Sequence, residues 1–434
     1  MATKKRFAAK NVTGWKATIA VSMANYIEAG SIIAAASSLT LWQAYLGIDS
    51  IGVGLLSAFS ANALGAAIGA LIGGPLTDKY GRSVIFNYDL LVYMVGVLLI
   101  AVSVNFPMLF IGTIITGVAV GAGVPVSWTY IAEESPEEKR AAHVGTSQLA
   151  WSIGPMVTFV LAVILAPLGL LGSRIIFLHL LIIALVAWYI RRGLPESKIW
   201  EEDQAKQKTG KIKKSTIKEL FSLKVNREAL FLLIGIYLFW NLTSGAMGYY
   251  MPYIYENVGG LNAGHANLLQ AVLWLFTVLL TFFGFMKLGD KYSRKFIFGL
   301  GASMGIFAWI MLTFMPMNWP VMIVFVVVWG SSAGIGAQAF YALWTSELFP
   351  TRYRASAQGL MYFIVRTGIA IWSFILPTLM ATLGFKVAGI VMITFLVIQL
   401  IIGLLLAPNT QGRTLKEIEK ERYGNVVNSE TTSD

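Results

Sequence analysis

Residues 78–86 read DKYGRSVIF, and residues 290–298 read DKYSRKFIF. Six of the nine positions are identical, and one stretch lies in each half of the chain. Both are charged or turn-forming in their first part, which is unusual in a chain as apolar as this one. The return of the motif indicates that the chain contains two related halves.

Other features recur with nearly the same separation as the two motifs. In the loops that follow, three pairs share one separation: Glu133 and Glu347, Pro136 and Pro350, and Arg140 and Arg354. Three glycines also return together: Gly117 at Gly330, Gly121 at Gly334, and Gly123 at Gly336. Several matches in one register predict two homologous halves of parallel orientation.

Composition places the chain in a membrane. The chain has 434 residues, of which 56% are hydrophobic and 13% charged, and its mean hydropathy is +0.69. A soluble domain carries about 25% charged residues, and about 20 apolar residues suffice for a helix that crosses a bilayer. We predict twelve transmembrane helices, spans 1 to 12: 16–40, 52–74, 85–104, 107–129, 141–166, 173–191, 228–254, 266–286, 296–316, 320–343, 356–380 and 385–406.

The net charge of +11 is a topology signal and does not indicate nucleic-acid binding. Of the 33 Lys and Arg residues, Arg174 and Lys386 fall on the far side and Arg366 falls inside a span. The others lie on one side, which the positive-inside rule makes cytoplasmic. Both termini are then cytoplasmic in a cell membrane. The first apolar stretch follows KKR, has no cleavage site and is long enough to span, so we interpret it as span 1 and not as a signal peptide.

Residue types exclude several kinds of chemistry. The chain has no cysteine and three scattered histidines, so we expect no disulfide, no thiol chemistry and no metal site. No nucleophile and base converge at one depth of the membrane, so we expect neither an enzyme nor a cofactor.

Polarity divides the chain into four parts. The most hydrophilic internal stretch, 193–227, separates six spans in 1–192 from six spans in 228–408. We interpret 193–227 as a cytoplasmic linker and 409–434 as a polar cytoplasmic tail. We expect the chain to act as a monomer in the lipid bilayer.

Five loop motifs carry a family resemblance. GGPLTDKYGRS (73–83) resembles the loop 2–3 signature of the major facilitator superfamily. Four further stretches resemble the sugar-porter signatures of that superfamily: YIAEESPEEKRA (130–141), LPESKIW (194–200), ELFPTRYRASAQG (347–359) and PNTQGRTLKEIE (408–419). The resemblance implies an all-α membrane fold of two pseudo-symmetric six-helix bundles, with a substrate site between them near the bilayer midplane.

The resemblance also implies that charged loop residues clamp the cytoplasmic side shut. We call eight of them the gate: Asp78, Arg82, Glu133, Arg140, Asp290, Arg294, Glu347 and Arg354. An exposed ion pair contributes only about 0–1 kcal/mol, but a network can bias two states that differ by a few kcal/mol. The alternative is that these are ordinary loop charges that fix topology.

Glu28 lies about twelve residues into span 1, so roughly 18 Å from the cytoplasmic side. A charge near the midplane costs about 2.5–3.5 kcal/mol on insertion scales and is a functional candidate. A carboxyl can avoid that cost by taking up a proton. We interpret Glu28 as the proton-coupling residue, at the place where the resemblance implies an acidic residue. The alternative is a structural ion pair or hydrogen bond.

Arg366 lies about ten residues into span 11 and cannot lose its charge. It therefore needs an anion, which is either Glu28, another buried acid or a ligand. The stretch around it, VRTGI, resembles the arginine–glycine pair of organic-anion carriers, which implies a cationic anchor for a carboxylate. The alternative is a structural arginine that pairs permanently with Glu28.

The sugar-porter pattern fails where sugar binds in that group. The positions that hold its amides, tryptophan and arginine fall here at Phe239, Trp240, Gly245, Ala342, Val365 and Thr113. Helical spacing and the cost of unpaired amides in a membrane select other lining candidates. Together with Arg366, the predicted substrate-binding residues are Asn25, Ser31, Gln148, Trp151, Trp240, Asn241, Ser244, Tyr249, Gln338 and Tyr341. For each aromatic residue alone, core packing is the alternative.

These observations predict a secondary active transporter that works by alternating access. The main hypothesis is proton-coupled uptake of a small organic anion, a carboxylate metabolite that is compact and partly apolar. The alternative is a sugar or polyol:proton symporter, in which Arg366 is structural. A proton-coupled exporter is a further hypothesis. A membrane receptor that senses a ligand is another, which the gate motifs in both halves disfavour.

Overall fold

The computed structural model describes residues 13–48, 50–209, 217–261, 263–350 and 354–424. Within these ranges the chain is helical, with short connections and no strand. The α-helices are α1 Trp15–Leu46, α2 Ser50–Ala58, α3 Leu64–Tyr80, α4 Arg82–Ala101, α5 Phe106–Glu134, α6 Arg140–Leu165, α7 Leu170–Arg191, α8 Lys198–Lys208, α9 Ile217–Ser222, α10 Lys224–Asn257, α11 Ala263–Leu280, α12 Arg294–Phe314, α13 Trp319–Gly334, α14 Ala337–Leu348, α15 Arg354–Leu406 and α16 Leu415–Tyr423. A π-helical turn, Thr281–Met286, extends α11, and two 3₁₀ turns, Glu137–Lys139 and Ala166–Leu168, flank α6.

Eleven helical segments of the described chain are long and apolar enough to cross a membrane. The remaining predicted span, span 2, is formed by α2 and α3, which are separated by a bend over residues 59–63. The prediction of one continuous helix over 52–74 is therefore wrong. Spans 11 and 12 both lie in α15 and meet at Gly384, whose φ of 81° departs from helical geometry. The predicted all-helical membrane fold is confirmed.

Glycines set how closely the helices approach. A Cβ on Gly69 would lie 2.0 Å from the Val118 carbonyl oxygen, and one on Gly121 would lie 2.0 Å from the Ala66 carbonyl oxygen. These two contacts join α3 to α5. In the second half, a Cβ on Gly330 would lie 2.3 Å from the Leu273 carbonyl oxygen. The glycine repeat therefore serves close packing between helices, as small residues do in membranes.

The outer surface is apolar over the spans. Phe374 is 83% exposed and Leu405 74% exposed, and side chains of this kind cover the faces that the helices do not bury against each other. In a membrane-spanning protein such residues contact lipid chains. The polar residues point inward, where α3 packs on α15 and α6 packs on α11 across the predicted boundary between the halves.

The linker and the tail contain short helices. α8 and α9 lie within 193–227, and residues 210–216 between them fall outside the described part. α16 lies in the tail, which the sequence analysis assigned no structure. Thr414 and Glu417 form a capping box at its N-terminus, a reciprocal arrangement that satisfies two backbone N–H groups. The boundaries of the four predicted parts stay predictions.

Candidate functional site

The gate contains two matching clusters of charges. Arg82 Nη2 lies 2.8 Å and Arg354 Nη1 lies 2.9 Å from Oε1 of Glu133. In the second cluster, Arg294 Nη1 lies 2.5 Å and Arg140 Nη1 lies 3.2 Å from the carboxylate of Glu347. Each glutamate therefore binds one arginine of its own predicted half and one of the other half. These crossed pairs tie the two halves together on one side.

The two aspartates of the opening repeat bind the first turn of a helix in the opposite half. Asp78 Oδ2 accepts a hydrogen bond of 2.8 Å from the backbone N–H of Ser356, at the start of α15. Asp290 Oδ1 accepts one of 3.4 Å from the backbone N–H of Ala141, at the start of α6. A carboxylate at a helix N-terminus satisfies free N–H groups and opposes the helix dipole. Six of the eight gate residues thus contact the opposite half, and Arg82 and Arg294 bind the two glutamates from within their own halves.

The gate is buried except at Asp290, whose side chain is 20% exposed, whereas loop charges of this kind are expected at the surface. The side chains of Arg82 and Glu133 are fully buried, and those of Arg140, Glu347 and Arg354 are at most 2% exposed. Removing one partner from a buried pair costs about 3–5 kcal/mol, because the other charge stays buried without compensation. Loss of one partner from either cluster should therefore disturb this side more than loss of an exposed pair would. Outside the spans, burial raises the pKa of the Asp290 carboxyl, although Arg294 beside it lowers it.

The other signature loops contact the gate through hydrogen bonds that the motifs do not predict. Glu196 accepts hydrogen bonds from the backbone N–H groups of Arg82 (2.9 Å) and Ser83 (3.0 Å), at the start of α4. Gly81 has a φ of 99°, and a Cβ there would lie 2.4 Å from Glu196 Oε2. Glycine suits this turn because it accepts a positive φ without penalty and leaves room for the Glu196 carboxylate. Trp200 Nε1 donates to the Asp78 carbonyl at 3.0 Å, and Gln411 Nε2 donates to the equivalent Asp290 carbonyl at 2.8 Å.

Glu28 is fully buried in α1 and accepts three hydrogen bonds. Arg366 Nη2 and the Tyr362 hydroxyl both donate to Oε1, and Trp151 Nε1 donates to Oε2 at 3.2 Å. Arg366 and Tyr362 stand one turn apart on α15, in the other predicted half. The carboxylate therefore joins the two halves in the interior, well away from the gate.

Arg366 has a second partner in the bend between α2 and α3. Its Nη1 donates to Asn62 Oδ1 at 2.7 Å and to the Asn62 carbonyl at 3.3 Å. The Asn62 amide in turn donates to the Gly245 carbonyl on α10 at 3.5 Å. The bend turns Asn62 away from regular helical spacing, so helical periodicity does not select it as a lining residue. Arg366 is thus held by an acid and an amide of the chain itself.

A central cavity lies between the halves beside this pair. Five of the predicted binding residues line it: Trp151, Trp240, Asn241, Ser244 and Arg366. Three lining residues that the prediction did not include are Asn62, Gln270 and Trp274. Trp151 and Trp274 approach each other across the cavity, with ring centroids 5.3 Å apart. Among the described lining residues, Arg366 is the one charged side chain.

Three buried donors on residues that line the cavity lack a partner. Trp240 Nε1, Gln270 Nε2 and Arg366 Nε have no hydrogen-bond partner among the described residues. Asn241 instead donates to the Tyr237 carbonyl, 3.0 Å away on its own helix. An unpaired buried donor costs free energy, and a ligand that brings acceptor oxygens would remove that cost.

The other predicted binding residues whose side chains the structure describes do not line this cavity. Asn25 bonds to Ser127 and Trp128 within the first half. Ser31 bonds to the Tyr93 hydroxyl at 2.7 Å and lines a separate cavity of the first half.

Four residues of the predicted set remain, and the side chain of one of them lies outside the described part of the chain. Gln148 and Gln338 are buried away from the cavity lining, and Gln148 Oε1 has no partner among the described residues. Tyr341 stacks on Tyr237 at a centroid distance of 3.9 Å. The side chain of Tyr249 lies outside what the structure describes.

Comparison with known proteins identifies the family of the chain and several of its relatives. Residues 18–372 match the family model described as Major Facilitator Superfamily. The chain is 46% identical over 414 residues to the minor myo-inositol transporter IolF of Bacillus subtilis, covering 94% of each sequence. It is 27% identical to the cis,cis-muconate transport protein of Acinetobacter baylyi, covering 86% of this chain and 88% of the relative. Among solved structures, the proton:xylose symporter XylE bound to 6-bromo-6-deoxy-D-glucose superposes with a TM-score of 0.80, at 17% identity, covering 93% of this chain and 98% of that chain.

The hypothesis that the chain takes up an organic anion is wrong. It is overturned by the similarity to a myo-inositol transporter, which at 46% identity far exceeds the 27% shared with the muconate protein. The structure supplies the physical reason. Arg366, which was expected to anchor a carboxylate, already pairs with Glu28 and Asn62. The pair is neutral overall, so the cavity has no uncompensated cation for an anionic ligand.

Proposed function

Because the chain belongs to the major facilitator superfamily, we propose that it imports a sugar or polyol, such as a cyclitol of the myo-inositol kind, coupled to protons. The chain is a membrane-spanning transporter of small molecules, and members of its family are not enzymes. The observation that carries the substrate class is the 46% identity over 94% of the chain to a myo-inositol transporter.

The cavity supports this substrate class. A polyol presents many neutral hydroxyl groups, each of which both donates and accepts hydrogen bonds. Asn62, Asn241, Ser244 and Gln270 offer neutral polar groups, and Trp240 adds an indole N–H. The unpartnered donors Trp240 Nε1 and Gln270 Nε2 would bind hydroxyl oxygens. Binding sites of this kind combine apolar and aromatic walls with a few directed polar groups.

The buried Glu28–Arg366 pair supports proton coupling. It links α1 to α15, so the halves cannot part near the cavity while both side chains keep their charges and their contact. Protonation of Glu28 would remove the attraction and leave Arg366 with Asn62. We infer that Glu28 carries the transported proton. Arg366 lies in the second half and loses its ion pair when Glu28 is protonated, so the charge of Glu28 affects the contact between the halves. The cavity beside the pair places a bound substrate next to the same switch.

The gate supports alternating access. It closes one side of the molecule through contacts between the halves, and a substrate leaves on that side when the crossed pairs open. We infer that this side is cytoplasmic, that both termini lie there, and that the chain acts as a monomer. The division into bundles at 1–192 and 228–408, with a linker and a tail, belongs to the same proposal.

Ligand binding to purified protein tests the substrate class. A ligand that binds the native state raises its stability by about 2.7 kcal/mol at a concentration of 100 Kd. We expect myo-inositol or a related polyol to raise the unfolding temperature, and short or aromatic carboxylates to leave it unchanged. Stabilisation by carboxylates alone would refute the proposal.

A variant pair tests the cavity itself. Gln270→Met removes a free donor at nearly constant volume, and we expect polyol affinity to fall by about three- to tenfold, the worth of one hydrogen bond. Gln399→Met is the matched control, because Gln399 is an equally buried amide that does not line the cavity. Equal losses in both variants would show that the effect is structural and not local.

A further inference from the structure

A second cavity lies far from the substrate site, at the end of the molecule that carries the gate. It is formed where α10 begins, where α15 ends and where α16 packs beneath them. Its walls include Lys224, Arg227 and Arg422 on the polar side and Phe231 and Leu406 on the apolar side. Neither the repeat nor the substrate site gives this cavity a role.

The polar wall carries a positive charge. Three basic side chains line it against one acid, Glu228, whose carboxylate lies 3.8 Å from Lys224 Nζ. That pair is exposed, with 82% of the lysine side chain accessible, so it contributes little to holding the lysine in place. Arg422 is fixed by a hydrogen bond of 3.3 Å from Nη2 to the Val225 carbonyl, and its Nε is buried without a partner among the described residues.

The N-terminus of α10 adds to the positive electrostatic potential of this wall. α10 begins after Leu223 without a side-chain cap and has no acidic residue in its first turn. The free N–H groups of a helix N-terminus favour an anion. The cavity thus combines three cations, an uncapped helix start and an unpartnered guanidinium nitrogen.

The apolar wall identifies the kind of anion. Phe231 is 64% exposed and Leu406 is 48% exposed. Phe231 stands seven residues after Lys224 on α10, so about 10 Å deeper towards the membrane interior. A free phosphate ion gains no binding energy from contact with exposed apolar side chains at that depth. A phospholipid matches both walls, with its charged headgroup at the lysine and arginines and its acyl chains along the phenylalanine and leucine.

We propose that this cavity binds the headgroup of an anionic phospholipid and joins α10, α15 and α16 through it. Basic pockets between helices at the cytoplasmic surface are suited to such headgroups. The bound lipid contacts both the start of span 7 and the end of span 12, and it reaches Arg422 of the tail helix. The proposal does not depend on which substrate the central cavity takes.

Native mass spectrometry of the detergent-purified chain tests this directly. We expect the chain to retain phosphatidylglycerol at least tenfold more tightly than phosphatidylcholine. Lys224→Gln with Arg227→Gln should weaken phosphatidylglycerol about 30-fold, which is about 2 kcal/mol, at about 1 kcal/mol for each charge. Arg192→Gln with Lys198→Gln is the matched control: it makes the same charge change at exposed positions that do not line this cavity, and it should stay within twofold of wild type.

Three results would overturn the proposal. Equal retention of phosphatidylglycerol by the wild type and the double variant would show that the basic wall is not the site. Equal retention of phosphatidylglycerol and phosphatidylcholine would show that the cavity binds lipid only as an apolar groove and does not select the headgroup charge. Displacement of the lipid by millimolar inorganic phosphate would show that the cavity is a site for a free anion.

Phe231→Ala gives a second test, at an exposed residue whose replacement should not affect folding. We expect the variant to bind phosphatidylglycerol more weakly, and unchanged lipid binding would contradict the proposed position of the acyl chains.

Discussion

Replacing Glu28 with glutamine removes the charge that joins the two halves near the cavity while keeping the shape of the side chain. Arg366 then remains buried with Asn62 and Tyr362 as its partners. Breaking a buried ion pair from one side costs about 3–5 kcal/mol. Because Asn62 still accepts a hydrogen bond of 2.7 Å from the guanidinium, we take the lower value of about 3 kcal/mol, which is about 150-fold in an equilibrium constant.

The cost falls on the conformation in which the gate is closed, since water reaches Arg366 once the halves part. Glu28→Gln should therefore shift the equilibrium towards the state that is open on the gate side. The chain has no cysteine, so a single reporter thiol can measure this. Thr129 is fully buried and donates a hydrogen bond of 2.7 Å to Gln358 across the halves. Thr129→Cys becomes reachable when that contact opens.

We expect thiol labelling of Thr129→Cys to be up to about 150-fold faster with Glu28→Gln than without it, until the open state dominates. Adding Arg366→Gln to Glu28→Gln removes the stranded cation, so labelling should return to within about tenfold of the starting rate. Labelling that is unchanged or slower with Glu28→Gln would refute the argument that this pair holds the halves together. Labelling that stays fast in the doubly neutral protein would show that lost packing is the cause.

Other predictions concern the gate and the helix packing. Glu133→Gln leaves Arg82 and Arg354 buried without a carboxylate partner and should speed the labelling of Thr129→Cys by at least tenfold. Arg413→Gln is the control: it breaks an exposed pair with Glu421 and should change the labelling rate less than threefold. Gly121→Ala forces α5 away from the Ala66 carbonyl and should lower the unfolding temperature. Gly248→Ala is the control, because a Cβ there meets nothing within 4 Å. Equal changes of the unfolding temperature in both variants would contradict the packing role of Gly121. Burial outweighs the contacts of the Asp290 carboxylate with Arg294 and with the start of α6, and it raises the pKa of Asp290 in the closed gate. Protonation of Asp290 therefore favours closure, so acidification through that pKa should slow labelling. Asp290→Asn should remove this part of the pH dependence, and an unchanged pH profile would contradict the prediction.

The sequence repeat predicted the fold well but did not predict which gate residues meet. A nearly constant separation between the two copies shows which positions are equivalent, and equivalent positions need not touch. Arg140 binds Glu347 and Arg354 binds Glu133 because the halves face each other across a pseudo-two-fold axis. A pattern within one half contains no signal for such crossed contacts.

The substrate site was harder to predict for two physical reasons. Residues 59–63 bend without glycine or proline, so helical spacing placed Asn62 on no face, although it contacts both Arg366 and Gly245. Arg366 and its partner Glu28 lie in opposite halves of the sequence, so their pairing was one alternative beside an anionic ligand and nothing in the spacing decided between them. Tyr362 carried a usable signal, because it precedes Arg366 by one helical turn and shares its face.

The central claim is that the chain couples protons to the uptake of a neutral polyol or sugar. Its most direct test is the accumulation of labelled myo-inositol in proteoliposomes with a pH gradient of one unit, acidic outside. At one proton per substrate this gradient supports up to about tenfold accumulation, since one pH unit is worth about 1.36 kcal/mol. We predict accumulation that Glu28→Gln abolishes while exchange of internal for external substrate continues. Uptake that ends at equal concentrations in the wild type, or that accumulates equally with Glu28→Gln, would contradict the account.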